Sequence, residues 1–179
     1  INLRDALASF CDSDGMVEKQ WFDQAIKRAK ITEGKVAASA LAEAVERFNS
    51  EYNRLPDVQR TVVTDQGEGI RLLEILLAEE GTGSDVENSR QVVFLEAKEA
   101  KGKRGGLDFG SSGGSGSVQG MYDPFGNPYT VVMNVDYENS LQFSFGGRTY
   151  NLRGRNVAVY SPGADKQEGT QDDIRTFER

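Results

Sequence analysis

Residues 16 to 55 run without a proline and stop at Leu55-Pro56. Alanine, glutamate and lysine are plentiful in this run, and all three favour helix. The residue before a proline disfavours helical backbone, so the spacing predicts one long helix ending there. In its second half Ala37, Leu41, Ala44, Val45, Phe48, Tyr52 and Leu55 recur at three- and four-residue steps. They make one apolar stripe, and Glu33, Lys35, Glu43, Glu46 and Arg47 fall off it. Val17, Trp21 and Ala25 continue a narrower stripe through the first half. Gly34 reads as a weak point, about 1 kcal/mol worse than alanine in a helix. A helix this long with one apolar face constrains everything after it, because the rest of the chain must supply the surface that covers the stripe.

The chain has 179 residues, which suits a single domain, and 37% of them are hydrophobic. A core is affordable at this length, but it is expected to be thin and to lean on long elements. The net charge of −7 argues against a nucleic-acid surface, which needs clustered positive charge. The chain has no histidine, which removes Ser-His-Asp and Cys-His nucleophiles and His-ligated zinc. Cys11 is the sole cysteine, so no internal disulfide forms, and it reads as a small apolar residue. No apolar run approaches the roughly 18 to 20 residues that cross a bilayer. The opening INLRDALASF is charged where a signal peptide would be apolar.

Residues 2 to 10 suggest a short first helix, and DSDG (12 to 15) a turn and helix cap. An EF-hand would want its glycine at the sixth position of the loop, and here it is the fourth. IRLLEILLAE (70 to 79), between Gly69 and Gly81, predicts a short amphipathic helix. QVVFLEA (91 to 97) reads as a strand. The following Gly/Ser-rich segment carries Lys98, Lys101, Lys103 and Arg104, and reads as a solvated loop because no aromatics interleave the cations for base stacking. Hairpins are expected beyond it. Val131, Met133, Val135 and Tyr137 share one face, as do Leu141, Phe143 and Phe145. The layout is α+β, a long N-terminal helix packed on a small antiparallel β-sheet. It makes a single domain, 1 to 179, divided into an atypical N-terminal segment (1 to 15), the helix (16 to 55), a variable region (56 to 120), and a sheet with an acidic loop (121 to 179).

Two stretches stand out. DPFGNPY (123 to 129) has two turn-starting pairs, Asp123-Pro124 and Asn127-Pro128, around Gly126. Phe125 and Tyr129 are placed to pack this turn on the core, and no chemistry is assigned to it. SPGADKQEGTQDDI (161 to 174) crowds Asp165, Asp172 and Asp173 around Gly163 and Gly169. Calcium takes six to eight oxygens from carboxylates and carbonyls, and glycines let a short loop wrap them inward. From the residues alone, a metal loop and a plain solvated turn both stand. A catalytic carboxylate pair fits poorly, since adjacent Asp172 and Asp173 point apart and no aromatic cleft is evident.

Taken together, three segments resemble the type IV pilin and pseudopilin superfamily, and more narrowly the major pseudopilin of type II secretion. AKITEGKVAASALAEAVERFNSEYNRLPD resembles the soluble half of the family's N-terminal helix. GLDFG and GMYDPFGNPYTVVM resemble its Asp-Pro-Trp/Phe-Gly-Asn-Pro-Tyr turn and strand, and VAVYSPGADKQEGTQDDI its C-terminal strand and calcium loop. The resemblance implies a pilin-like fold and a non-enzymatic filament subunit that assembles with itself and with other pseudopilins. It implies an apolar stem upstream of Ile1, anchored in the inner membrane, and a head in the periplasm. It also implies one Ca²⁺ ion, with side-chain oxygens from Asp165, Asp172 and Asp173 and carbonyls from Pro162, Gln167 and Thr170. A minor pilin, an adhesion filament subunit and a free-standing calcium-stabilised binding module are the alternatives. Neither nucleic acid nor a small-molecule substrate is expected as a partner.

Overall fold

The structure, a computed structural model, describes residues 14–81, 83, 85–110 and 116–177. The expected first helix, Cys11 and the first half of DSDG lie outside the described residues, as does most of GSSGGSGS.

Helix α1 spans Asp14–Tyr52. At about 1.5 Å per residue it is close to 60 Å long. Asp14 and Gly15 belong to the helix, so the expected turn does not include them. It ends three residues before Leu55, where Asn53 takes a left-handed conformation (φ 52°). Asparagine tolerates that geometry and closes helices in this way. The predicted stripe divides in two. Leu41, Ala44, Val45 and Phe48 are fully buried and Leu55 is nearly so, Ala37 and Tyr52 are only partly buried, and Ala38, outside the predicted stripe, is fully buried as well. Of the narrower front stripe, Trp21 and Ala25 are not covered by the body, and Trp21 is 71% exposed. Phe22, Ile26 and Val36 are exposed as well.

Gly34 is not merely a weak helix residue. A Cβ there would lie 2.3 Å from Cδ1 of Ile174 and 3.1 Å from Cδ of Pro124. The absent side chain lets the C-terminal strand and the DPFGNPY turn approach the helix closely.

After the first strand, β1 (Thr61–Val63), helix α2 spans Gly67–Leu77. It starts three residues earlier than the expected 70 to 79. Gly69 lies inside its first turn, where a Cβ would meet the carbonyl oxygen of Val63 at 1.9 Å. The helix closes on Ala78 in the left-handed region, and the Glu79 N–H donates to the Glu74 carbonyl over 2.9 Å.

The remaining strands are β2 (Gly106–Asp108), β3 (Gly120–Tyr122), β4 (Thr130–Met133), β5 (Ser140–Phe145), β6 (Arg148–Arg153), β7 (Val157–Ser161) and β8 (Ile174–Arg175). They form three antiparallel sheets: a central one in the order β1-β4-β7-β8, and the separate pairs β2-β3 and β5-β6. This corrects the expected arrangement of one long helix on one small sheet. The chain is α+β, but its sheet-rich part is split into several small sheets and agrees only weakly with a pilin-like fold. The physical reason is local. Tight turns such as Gly146-Gly147 let a hairpin satisfy its own inner edges, so it need not join the central ladder.

The central sheet is covered on both faces. On one, Val131, Met133, Val157 and Val159 join the α1 and α2 core. On the other, Val132, Ala158 and Tyr160 meet Leu141, Phe145 and Phe177 under the β5-β6 hairpin. That is why β7 is buried along its whole length, without the alternation of a half-exposed strand. Val131, Met133 and Val135 do share a face. Tyr137 leaves it for the turn, where its hydroxyl accepts from the Leu55 N–H over 2.8 Å.

The segment 91 to 97 is not a strand. The N–H groups of Phe94 and Leu95 both donate to the carbonyl of Leu76, at 2.8 and 3.1 Å. These two residues anchor the segment on the end of α2, while Val92 and Val93 face solvent.

Candidate metal centre

Strands β7 and β8 pair at Ser161↔Ile174, so residues 162 to 173 form a loop with adjoining ends. Two glycines set its path. Gly163 has φ +69°, and a Cβ on it would lie 2.1 Å from the Asp172 carbonyl oxygen. Gly169 has φ +90° and touches the β5-β6 turn, where a Cβ on Gly146 would come within 2.5 Å of the Gly169 Cα.

The three sequence-predicted aspartates have different surroundings. Asp172 is buried and closes the loop. Its Oδ2 accepts from the N–H groups of Ala164 (2.8 Å) and Asp165 (3.0 Å), and its Oδ1 accepts from the Thr170 hydroxyl (2.9 Å). The Lys27 ammonium of α1 sits 3.3 Å from Oδ2. Burial alone would raise the Asp172 carboxyl. The Thr170 hydroxyl, the Asp165 N–H and the Lys27 ammonium together outweigh it and hold the group down, at about 2.

Asp173 is also buried, at 2% exposure, yet its situation is opposite. Its Oδ2 accepts from the Gly169 N–H over 3.0 Å, while Oδ1 is buried with no hydrogen-bond partner. Burial is the largest influence and raises this carboxyl. The Gly169 N–H and Arg175 pull it down, Asp172 and Asp165 push it up, and the net shift is upward. Among the described residues no ion pair reaches it. Asp165 is exposed at the loop's outer edge, where its Oδ1 accepts from the Gln167 N–H over 2.8 Å.

Of the three expected carbonyl donors, that of Gln167 accepts weakly from the Thr170 hydroxyl at 3.3 Å. Pro162 and Thr170 flank it in the same loop and are partly buried. Among the described residues no three His, Cys, Asp or Glu side chains converge closely enough to hold a metal ion. The donor chemistry nevertheless suits a hard cation in part. All of the donors are oxygens, and the buried Oδ1 of Asp173 is a carboxylate oxygen with no hydrogen-bond partner. Asp172 fits less well, since its oxygens already serve the loop's own donors.

Sequence reasoning missed what anchors the loop. Asp123 of the DPFGNPY turn is fully buried. Its Oδ1 accepts from the N–H groups of Phe125 (2.7 Å) and Asn127 (2.9 Å). Its Oδ2 accepts from the Asn127 side-chain amide (2.9 Å) and the Ser161 hydroxyl (2.6 Å). The Asn127 amide also donates to the Gly163 carbonyl over 2.6 Å. The turn, the end of β7 and the start of the acidic loop are therefore one hydrogen-bonded unit. The available signal was the spacing of Asp123 and Asn127, four apart and each before a proline. As expected, Tyr129 is fully buried in the core and Phe125 packs against it.

The basic cluster does not act as a unit. Lys98 pairs with Glu33 of α1, and Lys103 lies 5.7 Å over the Tyr122 ring. Beside the acidic loop, a cavity of about 360 Å³ is lined by Gln24, Lys27, Arg28, Ile31, Gln171 and Asp172. Among the described residues no helix is long and apolar enough to cross a membrane. The chain matches no protein-family model, no curated protein and no solved structure.

Proposed function

We propose that this chain is a calcium-stabilised, non-enzymatic structural subunit of an extracytoplasmic filament of the type II secretion class. The carrying observation is the joining of two motifs that are far apart in sequence. Asp123 and Asn127 grip Ser161 and Gly163, and the loop so anchored holds a buried carboxylate oxygen of Asp173 without a partner. The resemblance of DPFGNPY and SPGADKQEGTQDDI to the family's turn and calcium loop supports the same reading. The exposed Trp21, Phe22, Ile26 and Val36 on α1 suit a subunit whose helix meets neighbouring copies and other pseudopilins.

In this reading Asp173 and Asp165 hold the ion, with Asp172 as the loop's closing strut and the carbonyls of Pro162, Gln167 and Thr170 completing the oxygen set. When bound, the ion would supply positive charge beside the carboxylates of Asp173 and Asp165. Asp172 keeps Ala164, Asp165 and Thr170 in place. The Asp123 unit keeps the loop's first residues fixed on β7. The ordered loop then presents one constant surface to neighbouring subunits, with the head in the periplasm and a membrane-anchored stem preceding it.

Thermal unfolding tests the metal. Millimolar calcium should raise the melting temperature, and Asp165→Ala should abolish the rise, following ligand mass action. An unchanged melting temperature in calcium removes the metal from the reading. The codons upstream of Ile1 test the filament separately. A basic leader, then Gly-Phe-Thr-Leu-x-Glu and about twenty apolar residues, is the expected result. A gene without them leaves a free-standing calcium-stabilised binding module.

A further inference from the structure

The acidic loop already has a cation of its own. Lys27 comes from α1, a long way back in sequence, and its ammonium lies 3.3 Å from Oδ2 of Asp172. The lysine is half exposed, whereas the carboxylate is nearly buried. Residues 19 to 30 of α1 are all exposed, and Ile31 is the first to be partly covered by the body. Among the described residues two contacts tie this outer stretch to the head: Lys27 on Asp172, and Lys30 at 5.9 Å over the Phe125 ring.

We infer that Lys27 is a built-in counter-ion that competes with the bound metal, so that calcium binding and docking of the outer part of α1 oppose each other. This rests on the calcium reading above and adds its regulation. The charges argue for it. Asp172 is satisfied by three loop donors and Lys27, while Asp173 keeps one buried oxygen with no hydrogen-bond partner and, among the described residues, feels the Arg175 charge without forming an ion pair. A divalent ion held by Asp173 and Asp165 lies beside Asp172 and repels the ammonium there. A carboxylate with four partners has little capacity left for a metal, and Lys27 is the only one of the four that can leave without unravelling the loop. Coupling of this kind is reciprocal. If Lys27 weakens calcium binding by some factor, calcium weakens the Lys27 contact by the same factor. The metal thereby frees the helix stretch that carries Trp21, Phe22 and Ile26, the exposed apolar residues nearest the tether.

The test is calcium titration by calorimetry, with amide hydrogen exchange, on the full chain, Lys27→Met and Lys27→Arg. Lys27 is exposed enough that neither variant threatens folding. Lys27→Met should bind calcium at least threefold more tightly, and Lys27→Arg should stay close to the parent. In the parent chain, calcium should speed exchange across residues 19 to 30. In Lys27→Met, exchange there should be fast without calcium and unresponsive to it. Trp21, the sole tryptophan, gives a second readout through its fluorescence anisotropy, which should fall with calcium in the parent only. Equal affinities in the parent and Lys27→Met, or calcium-independent exchange in the parent, would overturn the inference while leaving the calcium site intact. Absence of any binding heat in all three chains would remove the calcium site and this coupling together.

Discussion

The hydroxyl of Ser161, the last residue of β7, donates to Oδ2 of Asp123 over 2.6 Å. One buried carboxylate thus holds a turn, a strand end and a loop start in register. Asp123→Ala leaves four donors facing an empty space, two of them backbone N–H groups that cannot turn away. Unsatisfied buried donors cost about 1–3 kcal/mol each, relieved where water enters. The expected loss of stability is about 3 kcal/mol, read as a lower urea midpoint at unchanged m-value. A loss below about 1 kcal/mol would mean that the unit does not depend on Asp123.

Gly34→Ala should destabilise the chain although it improves helix propensity. Propensity favours alanine by about 1 kcal/mol. The new methyl meets Ile174 Cδ1 at 2.3 Å in a filled core, and overpacking of this kind costs about 1–3 kcal/mol. A net loss near 1 kcal/mol is expected from chemical denaturation. Ile174→Val, which removes Cδ1, should recover part of it in the double variant. A Gly34→Ala chain more stable than the parent would show that Ile174 moves aside freely.

Tyr129 predicts the alkaline limit. Its hydroxyl donates to the Gly34 carbonyl over 3.1 Å inside the core. Burial, then the charges of Asp123 and Glu33, push its ionisation far above the ordinary value of 10. The folded state therefore favours the neutral phenol. Its contribution is fully present below about pH 10, where both states hold the proton, and is lost as pH rises beyond that because the unfolded state ionises first. Stability should fall steeply above pH 10 in the parent and less so in Tyr129→Phe, as followed by circular dichroism. Parallel pH profiles would exclude Tyr129 as the cause.

Asp173→Asn separates the loop's charge from its shape. Burial, the largest influence, raises the Asp173 carboxyl above its ordinary value, so the charged form is the one that the folded chain disfavours. That penalty disappears as pH falls through the raised value. The amide variant should melt higher than the parent in a calcium chelator, and its rise on adding calcium should be smaller. A lower melting temperature in chelator would argue that the Asp173 charge is compensated in the metal-free chain.

The parts of the fold written in short-range periodicity were legible. The stripe on α1, the shared face of Leu141, Phe143 and Phe145, and the packing of Tyr129 all follow from spacing within one element. Residues 91 to 97 misled because β-branched residues suit a pleated surface without guaranteeing a neighbour strand. Here Leu76 offered a carbonyl instead. The division into three sheets depends on which strands find each other across long intervals, and composition does not encode that. The site was half legible. Gly163 and Gly169 signalled a wrapped loop, but Lys27 meets Asp172 from far away in the sequence. Nothing in local spacing marks such a pair. Gly34 shows the same limit: a glycine in a helix looks like a defect until the residue it admits is known.

The contact between Gly146 and Gly169 bears on how this protein can change over generations. The hairpin tip and the acidic loop meet there backbone to backbone, with no room for a methyl group. Neither segment is then free to drift alone, although each lies in a turn, where insertions are ordinarily tolerated. A lengthened loop must be matched by a reshaped hairpin, and in related chains the two should vary together or not at all.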